Sequence, residues 1–212
     1  RHSSISDGHS AISKLAASHS IEVDSTESSD VFTDEGLAKY DAVMFLNTTG
    51  DVLNEQQQIA FQRYIQGGGG YIGVHSASDT EYGWPWYGQL VGAYFVDHPA
   101  IQEARLVVDD SRHPSTAHLD DEWVRSDEWY NHRFVNDNLN VLLSIDKQSY
   151  DAGTDTFEGA TQPMSWYHSF DGGRSFYTNM GHRPETWLET DFLNHLLGGI
   201  EWAMEGGPTA EL

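Results

Sequence analysis

Apolar positions along this chain recur in two ways, and each predicts a different element. Over Gly8–Ser18, the positions Ile12, Leu15, Ala16 and His19 fall at helical spacing and predict an amphipathic helix. Ile21–Asp24 reads as a short strand after it. Asp41–Leu46 holds a continuous apolar run, read as a buried strand that ends in the polar loop Asn47-Thr48-Thr49-Gly50. Glu55–Gln66 is helical again, with Ala60, Phe61, Tyr64 and Ile65 on one face and Gln58, Gln62 and Gln66 on another. Gly67–Gly70 stops that helix, and Tyr71–Val74 predicts the next buried strand.

This helix–glycine–strand alternation predicts an α/β fold with a mostly parallel central sheet and helices on both faces. Ala104–Val108, Val141–Ile145, Met164–Tyr167 and Ser175–Thr178 are further strand candidates. Some lack a helix between them, so part of the sheet is open to antiparallel pairing. Asp146–Gln162, rich in Asp, Gly and Thr, reads as a long loop. Asp191–Met204 carries Phe192, Leu193, Leu196, Leu197 and Ile200 on a C-terminal helix that Gly206-Gly207-Pro208 ends. One domain is expected over residues 1–205, with 206–212 as a tail or linker.

The glycine run at 67–70 is not read as a phosphate cradle. Such a loop follows a strand and opens a helix, so that helix N–H groups point at the anion, and here the order is reversed. A helix cap and tight turn account for it.

Charge narrows the partners. Eleven Lys and Arg stand against 33 Asp and Glu, a net charge of −22. A surface that negative repels phosphate backbones and anionic lipids, which argues against nucleic-acid and membrane-surface partners. An acidic chain with three lysines also fits work in salt, where excess charge is screened. No apolar run reaches the ~20 residues that span a bilayer. The absence of cysteine removes disulfides, thiolate ligands and a cysteine nucleophile. Seven Trp, ten Tyr and nine Phe supply a core, with rings to spare for stacking on sugar faces.

In open α/β sheets ligands sit beyond the carboxyl ends of the strands. The polar segments there are Asn47-Thr48-Thr49, His75-Ser76-Ala77-Ser78-Asp79 and Asn179-Met180-Gly181-His182-Arg183. His75 lies where a sharp strand-to-helix turn presents a side chain, which suits acid/base work or metal binding, or else a structural hydrogen bond. No pair of histidines has the spacing that puts two ligands on one helical face. A divalent metal held by His2, His75, His98 and His182 from separate loops is the one cofactor the residues leave open. Asp127-Glu128-Trp129-Tyr130 sets carboxylates beside aromatic rings, which would raise a carboxyl pKa and suit a general acid.

The segments Arg1-His2-Ser3-Ser4-Ile5, Gly68–Thr80 with its His75-Ser76-Ala77-Ser78-Asp79, Trp86–Phe95, His98-Pro99, Asp127–Tyr130, Pro163–Trp166, Gly172–Tyr177 and Gly181-His182 resemble, in this order, the ThuA-like (trehalose utilisation) family. The resemblance runs from Arg1 to about Trp202. It implies a flavodoxin-like three-layer sandwich similar to class I glutamine amidotransferases, without glutaminase chemistry since no cysteine is present. It implies carbohydrate use, with keto-sugars among the candidate substrates, and an extracytoplasmic (periplasmic or secreted) location. Family members usually carry a strand ahead of the Arg-His segment, so the expectation is that this chain has been trimmed of its first strand. Carried over, His75 becomes the central acid/base or ligand, Asp79 its orienting charge, Glu128 the acid/base partner and His182 part of the catalytic set. His2, Thr48, Thr49, Trp86, Tyr87, His98, Trp129 and Tyr130 become the substrate pocket. Two functions remain in view: an enzyme acting on a saccharide as hydrolase, lyase or isomerase, and a non-catalytic carbohydrate-binding module of a larger protein.

Overall fold

The structure is a computed structural model that describes residues 2–154 and 157–206. Helix α1 (Ile5–Ser18) and the one-turn α2 (Asp34–Leu37) precede strand β1 (Ala42–Leu46). Helix α3 (Glu55–Gln66) leads to β2 (Gly70–Val74), and α4 (Pro85–Val91) follows a short 3-10 turn over His75–Asp79. Strands β3 (Ala93–Asp97), β4 (Gln102–Val108), β5 (Glu122–Asp127), β6 (Asn131–Phe134), β7 (Asn140–Asp146), β8 (Thr161–Phe170) and β9 (Gly173–Thr178) come next, and α5 (Thr190–Met204) closes the chain. The expected tail lies outside the described residues save for Gly206, as do Arg1 and residues 155–156 of the long loop.

The bounds of α3 coincide with the sequence reading because both ends are chemically marked. Asn54 accepts hydrogen bonds from the amides of Gln56 and Gln57, while the Gln57 side chain returns to the Asn54 amide, a reciprocal cap. The Gly67 amide closes the other end on the Arg63 carbonyl. Ile21–Asp24, by contrast, forms no strand. Ile21 is half-buried, the following three residues are exposed, and no neighbouring strand takes up their backbone.

Seven strands form one sheet in the order β1-β2-β9-β8-β7-β4-β5, and β3 pairs with β6 in a small second sheet. The large sheet is mixed, not mostly parallel. Only β1–β2 and β2–β9 run parallel; β9–β8, β8–β7, β7–β4 and β4–β5 are antiparallel. The reason lies in the connections. From β4 to β9 no helix lies between consecutive strands, and without such a crossover neighbouring strands pair antiparallel. The β8–β9 hairpin turns on Asp171 and Gly172, at φ 49° and 99°, the left-handed pair that a two-residue turn requires.

Side chains alternate across the sheet and divide the core in two. Ile72, Val74 and Phe176 meet Ile12 of α1 and Phe192, Leu196 and Ile200 of α5 on one face. Tyr71, Phe45, Tyr177 and Trp166 meet Phe61 and Ile65 of α3 and Leu90 of α4 on the other. No helix of the described residues is long and apolar enough to cross a membrane.

Candidate functional site

The register of the parallel strands aligns their carboxyl ends. Leu46 faces Val74, and Val74 faces Thr178. The next residues, Asn47, His75 and Asn179, therefore lie along one rim. Asn47 and His75 take left-handed backbone angles, φ 50° and 52°, which cost non-glycine residues energy and are kept only where the surroundings hold them. At His75 the holding groups are visible: its carbonyl accepts the Tyr177 phenol at 2.8 Å and the Ser78 hydroxyl at 3.3 Å.

The buried His75 ring is fixed at both nitrogens. Nδ1 lies 2.7 Å from the Asn179 carbonyl, which can only accept, so Nδ1 donates. Nε2 lies 2.8 Å from the Tyr130 hydroxyl, 3.1 Å from His182 Nδ1 and 3.3 Å from Glu128 Oε2. His182 Nδ1 is in turn 3.0 Å from the same Glu128 oxygen, and His98 Nε2 is 3.4 Å from the other one. The His2 ring stands edge-on to both histidines, with centroids 4.9 Å from His75 and 5.1 Å from His182. Its Nδ1 is 3.4 Å from the Ser76 hydroxyl.

Glu128 differs from the sequence expectation. Burial alone would raise its carboxyl pKa, but hydrogen bonds and charge from His182 and His75 outweigh burial and hold it well below the usual carboxylate range. The side chain is thus a carboxylate and a base, and not the raised-pKa acid expected from its aromatic neighbours. His182 is shifted upward by its hydrogen bond to Glu128, against the opposing effect of burial. His2 is lowered to about 4 by burial and by the two neighbouring imidazoles.

The other expected residues separate. Thr48 bonds to the Thr80 hydroxyl at 2.9 Å, and Thr49 donates to Asp79 at 2.8 Å. Asp79 also accepts from Tyr82 at 2.8 Å, so its carboxylate anchors that loop and does not orient His75. Trp86 stacks on Trp84 and donates to Asp171 at the β8–β9 turn, on the α3 face of the sheet. Tyr87 is fully buried against Tyr71 and the Ala77 carbonyl. Trp129 is fully buried too, its indole N–H on the Gln102 carbonyl. These three rings build core and leave the pocket to others. The aromatic wall beside His75 is Tyr130, with Phe95 at 4.3 Å and His98 at 6.0 Å between centroids. Phe95 closes the family segment Trp86–Phe95, but with no polar side-chain atom it was not singled out for the pocket.

Two further residues brace the site. Asn179 supplies the carbonyl under His75. Asp127, fully buried, accepts the amides of Glu128, Gly181 and His182 at 2.9, 3.1 and 3.2 Å and pairs with Arg125 at 2.9 Å. Arg125 also reaches Glu189 at 2.9 Å and Thr186 at 2.9 Å.

The family model for trehalose utilisation proteins, ThuA, matches residues 1–203. No curated protein matches the chain. Among solved structures, a ThuA-like protein from Bacteroides uniformis ATCC 8492 is 25% identical, with TM-score 0.80 over 98% of this chain and 90% of that one. A ThuA-like protein from Parabacteroides merdae ATCC 43184 is 21% identical, with TM-score 0.78 over 100% and 89%. A cytoplasmic protein from Salmonella typhimurium LT2 shares the fold at 14% identity, with TM-score 0.70 over 92% and 86%. With the family model spanning nearly its whole length, this chain belongs to the ThuA (trehalose utilisation) family.

Proposed function

We propose that the rim around His75 processes a saccharide or keto-sugar by proton transfer, with His75 and Glu128 as the reacting pair. Membership of the trehalose utilisation family ties the chain to carbohydrates in general. The observation that carries the finer reading is the meeting of His75 Nε2, His182 Nδ1 and Glu128 Oε2 within 3.0 to 3.3 Å of one another at the ends of the parallel strands. A carboxylate held ionised beside two imidazoles supplies an acceptor and donors within reach of one substrate hydroxyl or carbonyl. Tyr130, Phe95 and His98 offer a partly apolar wall against which the C–H face of a sugar ring could rest.

A binding module would need no carboxylate fixed between two imidazoles, and Glu128 is held in that way by His75 and His182. The amidotransferase-like kinship implied by the sequence brings no glutaminase chemistry, since the chain has no cysteine. The test is turnover of a panel of disaccharides and their keto forms by His75→Asn and Glu128→Gln. Each substitution should lower the rate by about 100-fold or more. Unchanged rates in both variants would overturn the proposal.

A further inference from the structure

The four side chains His2, His75, Glu128 and His182 each bring one ligand atom to a common place, all within 4.8 Å of one another. We infer that they form a binding site for a single divalent transition-metal ion with three imidazole nitrogens and one carboxylate oxygen as donors. The inference concerns the site proposed above but rests on its geometry, not on sugar turnover.

The distances support a cation centre. Metal–nitrogen and metal–oxygen bonds of about 2.0–2.2 Å place the donors of a tetrahedral ion about 3.3–3.5 Å apart. The three donor pairs among His75, Glu128 and His182 stand at 3.0, 3.1 and 3.3 Å, close to that edge length, and His2 completes the set within 4.8 Å. His75 is also set up as a ligand. Its Nδ1 proton is committed to the Asn179 carbonyl, the outer hydrogen bond that fixes the tautomer of a metal-bound imidazole and turns the Nε2 lone pair inward. In the uncharged ring that lone pair meets the Tyr130 hydroxyl at 2.8 Å with the Glu128 carboxylate 3.3 Å away, so an ion between imidazole and carboxylate would take the lone pair in place of the phenol proton. The three imidazole rings meet pairwise edge to face, at interplanar angles of 84°, 89° and 74°, with centroids 4.9 to 5.1 Å apart.

The donor set selects the ion. Imidazole nitrogens suit zinc, cobalt, nickel, copper and iron, whereas magnesium and calcium want oxygen. This matters in so acidic a chain, because surface carboxylates will hold hard cations at many places. His75 is fully buried while His182 is partly exposed, so the centre has one walled side and one side open to a substrate oxygen. The second oxygen of Glu128 faces His98 at 3.4 Å, which leaves one carboxylate oxygen for the ion.

The test uses the whole chain, stripped with a chelator and titrated with cobalt(II) and zinc(II) beside a large excess of magnesium. About one cobalt ion per chain should bind, with the intense visible absorption of a low-symmetry, four- or five-coordinate site, and zinc but not magnesium should displace it. His2→Ala and His182→Ala lie in partly exposed segments, and each should weaken binding by about tenfold or more. Thermal unfolding of the metal-free variants serves as the folding check, and for Glu128→Gln as well. Sub-stoichiometric cobalt, displacement by magnesium, or equal affinity in the folded His2 and His182 variants would each overturn the site. A bound ion would take the same His75 Nε2 and Glu128 Oε2 atoms that the proton-transfer reading uses, leaving the second Glu128 oxygen, beside His98, to move the proton. Failure of metal binding would leave sugar turnover by His75 and Glu128 standing, and loss of turnover with metal binding intact would overturn that turnover alone.

Discussion

The Asp127 carboxylate accepts the backbone N–H of His182 at 3.2 Å, and the same carboxylate accepts the N–H of Glu128 at 2.9 Å. One buried side chain thus sets the spacing of two site residues that are far apart in sequence. It also neutralises Arg125, which is itself almost wholly buried.

Replacing Asp127 with Ala therefore removes a partner from a buried cation and three amides at once. A loss of roughly 3–5 kcal/mol is expected, because breaking a buried pair leaves the other charge uncompensated. Urea unfolding measures it, and a loss below about 1 kcal/mol would mean Glu189 alone satisfies Arg125.

At Gly198 and Gly199 in α5, alanine should have the opposite of its usual effect. Helix propensity alone would favour alanine by about 1 kcal/mol. Yet a Cβ at Gly198 would stand 2.4 Å from the Pro114 backbone, and one at Gly199 2.4 Å from the Phe176 ring. Neither neighbour is a flexible chain end, so each substitution should destabilise by about 1–3 kcal/mol. A raised melting temperature for either would show that α5 shifts freely on the sheet.

Two buried histidines away from the site should make the fold acid-sensitive. Burial lowers His168 to about 4 and His195 to about 3, against an ordinary 6.5. Between those values and 6.5 the unfolded chain binds more protons, so stability is retained above pH 6.5 and falls as pH drops toward 4. Each histidine can contribute a slope of up to about 1.4 kcal/mol per pH unit. Neither ring nitrogen of His168 has a hydrogen-bond partner among the described residues. His168→Leu should thus cost little at pH 7 and flatten the acid slope; an unchanged slope would place the acid sensitivity elsewhere.

Aromatic residues should divide by location in a saccharide assay. His98→Ala, which removes a ring beside Tyr130 and Glu128, should weaken saccharide affinity by about tenfold. Trp86→Ala, on the α3 face, should leave affinity unchanged while lowering stability. Calorimetric binding to both variants decides between the two aromatic surfaces, and loss of affinity only in the Trp86 variant would move the sugar site to the Trp84–Trp86 stack.

Much of the parallel half of the fold was legible in the sequence. Helix α3 and strand β2 announce themselves through a reciprocal cap, a glycine stop and an all-buried run. Strands β3, β5 and β6 were not seen, for a shared physical reason. They mix exposed with buried positions, as in β5, where Val124 is exposed between the half-buried Trp123 and the buried Arg125. Helix α4 is seven residues long with a glycine inside it, too short for a period to register. The Asp171-Gly172 dipeptide did signal the hairpin that makes β8 and β9 antiparallel, and the sequence reading passed over it. At the site, His2, His75, Glu128 and His182 could be named from the ordered motifs. Trp86, Tyr87 and Trp129 could not be sorted from pocket residues, because nothing local to an aromatic residue tells which side of a sheet its ring will join.

The chain's first helix has a role beyond covering the sheet. Ser4 donates to the Gly181 carbonyl at 3.0 Å, Asn47 bridges the same two residues, and Gly8 lies flush against the Trp187 indole. The segment that carries His2 is thereby buckled to the stretch that carries His182. Any fraying of α1 would carry His2 away and loosen its distant counterpart together, so proteolytic nicking between His2 and Ser18 should extinguish the site long before the sheet itself melts.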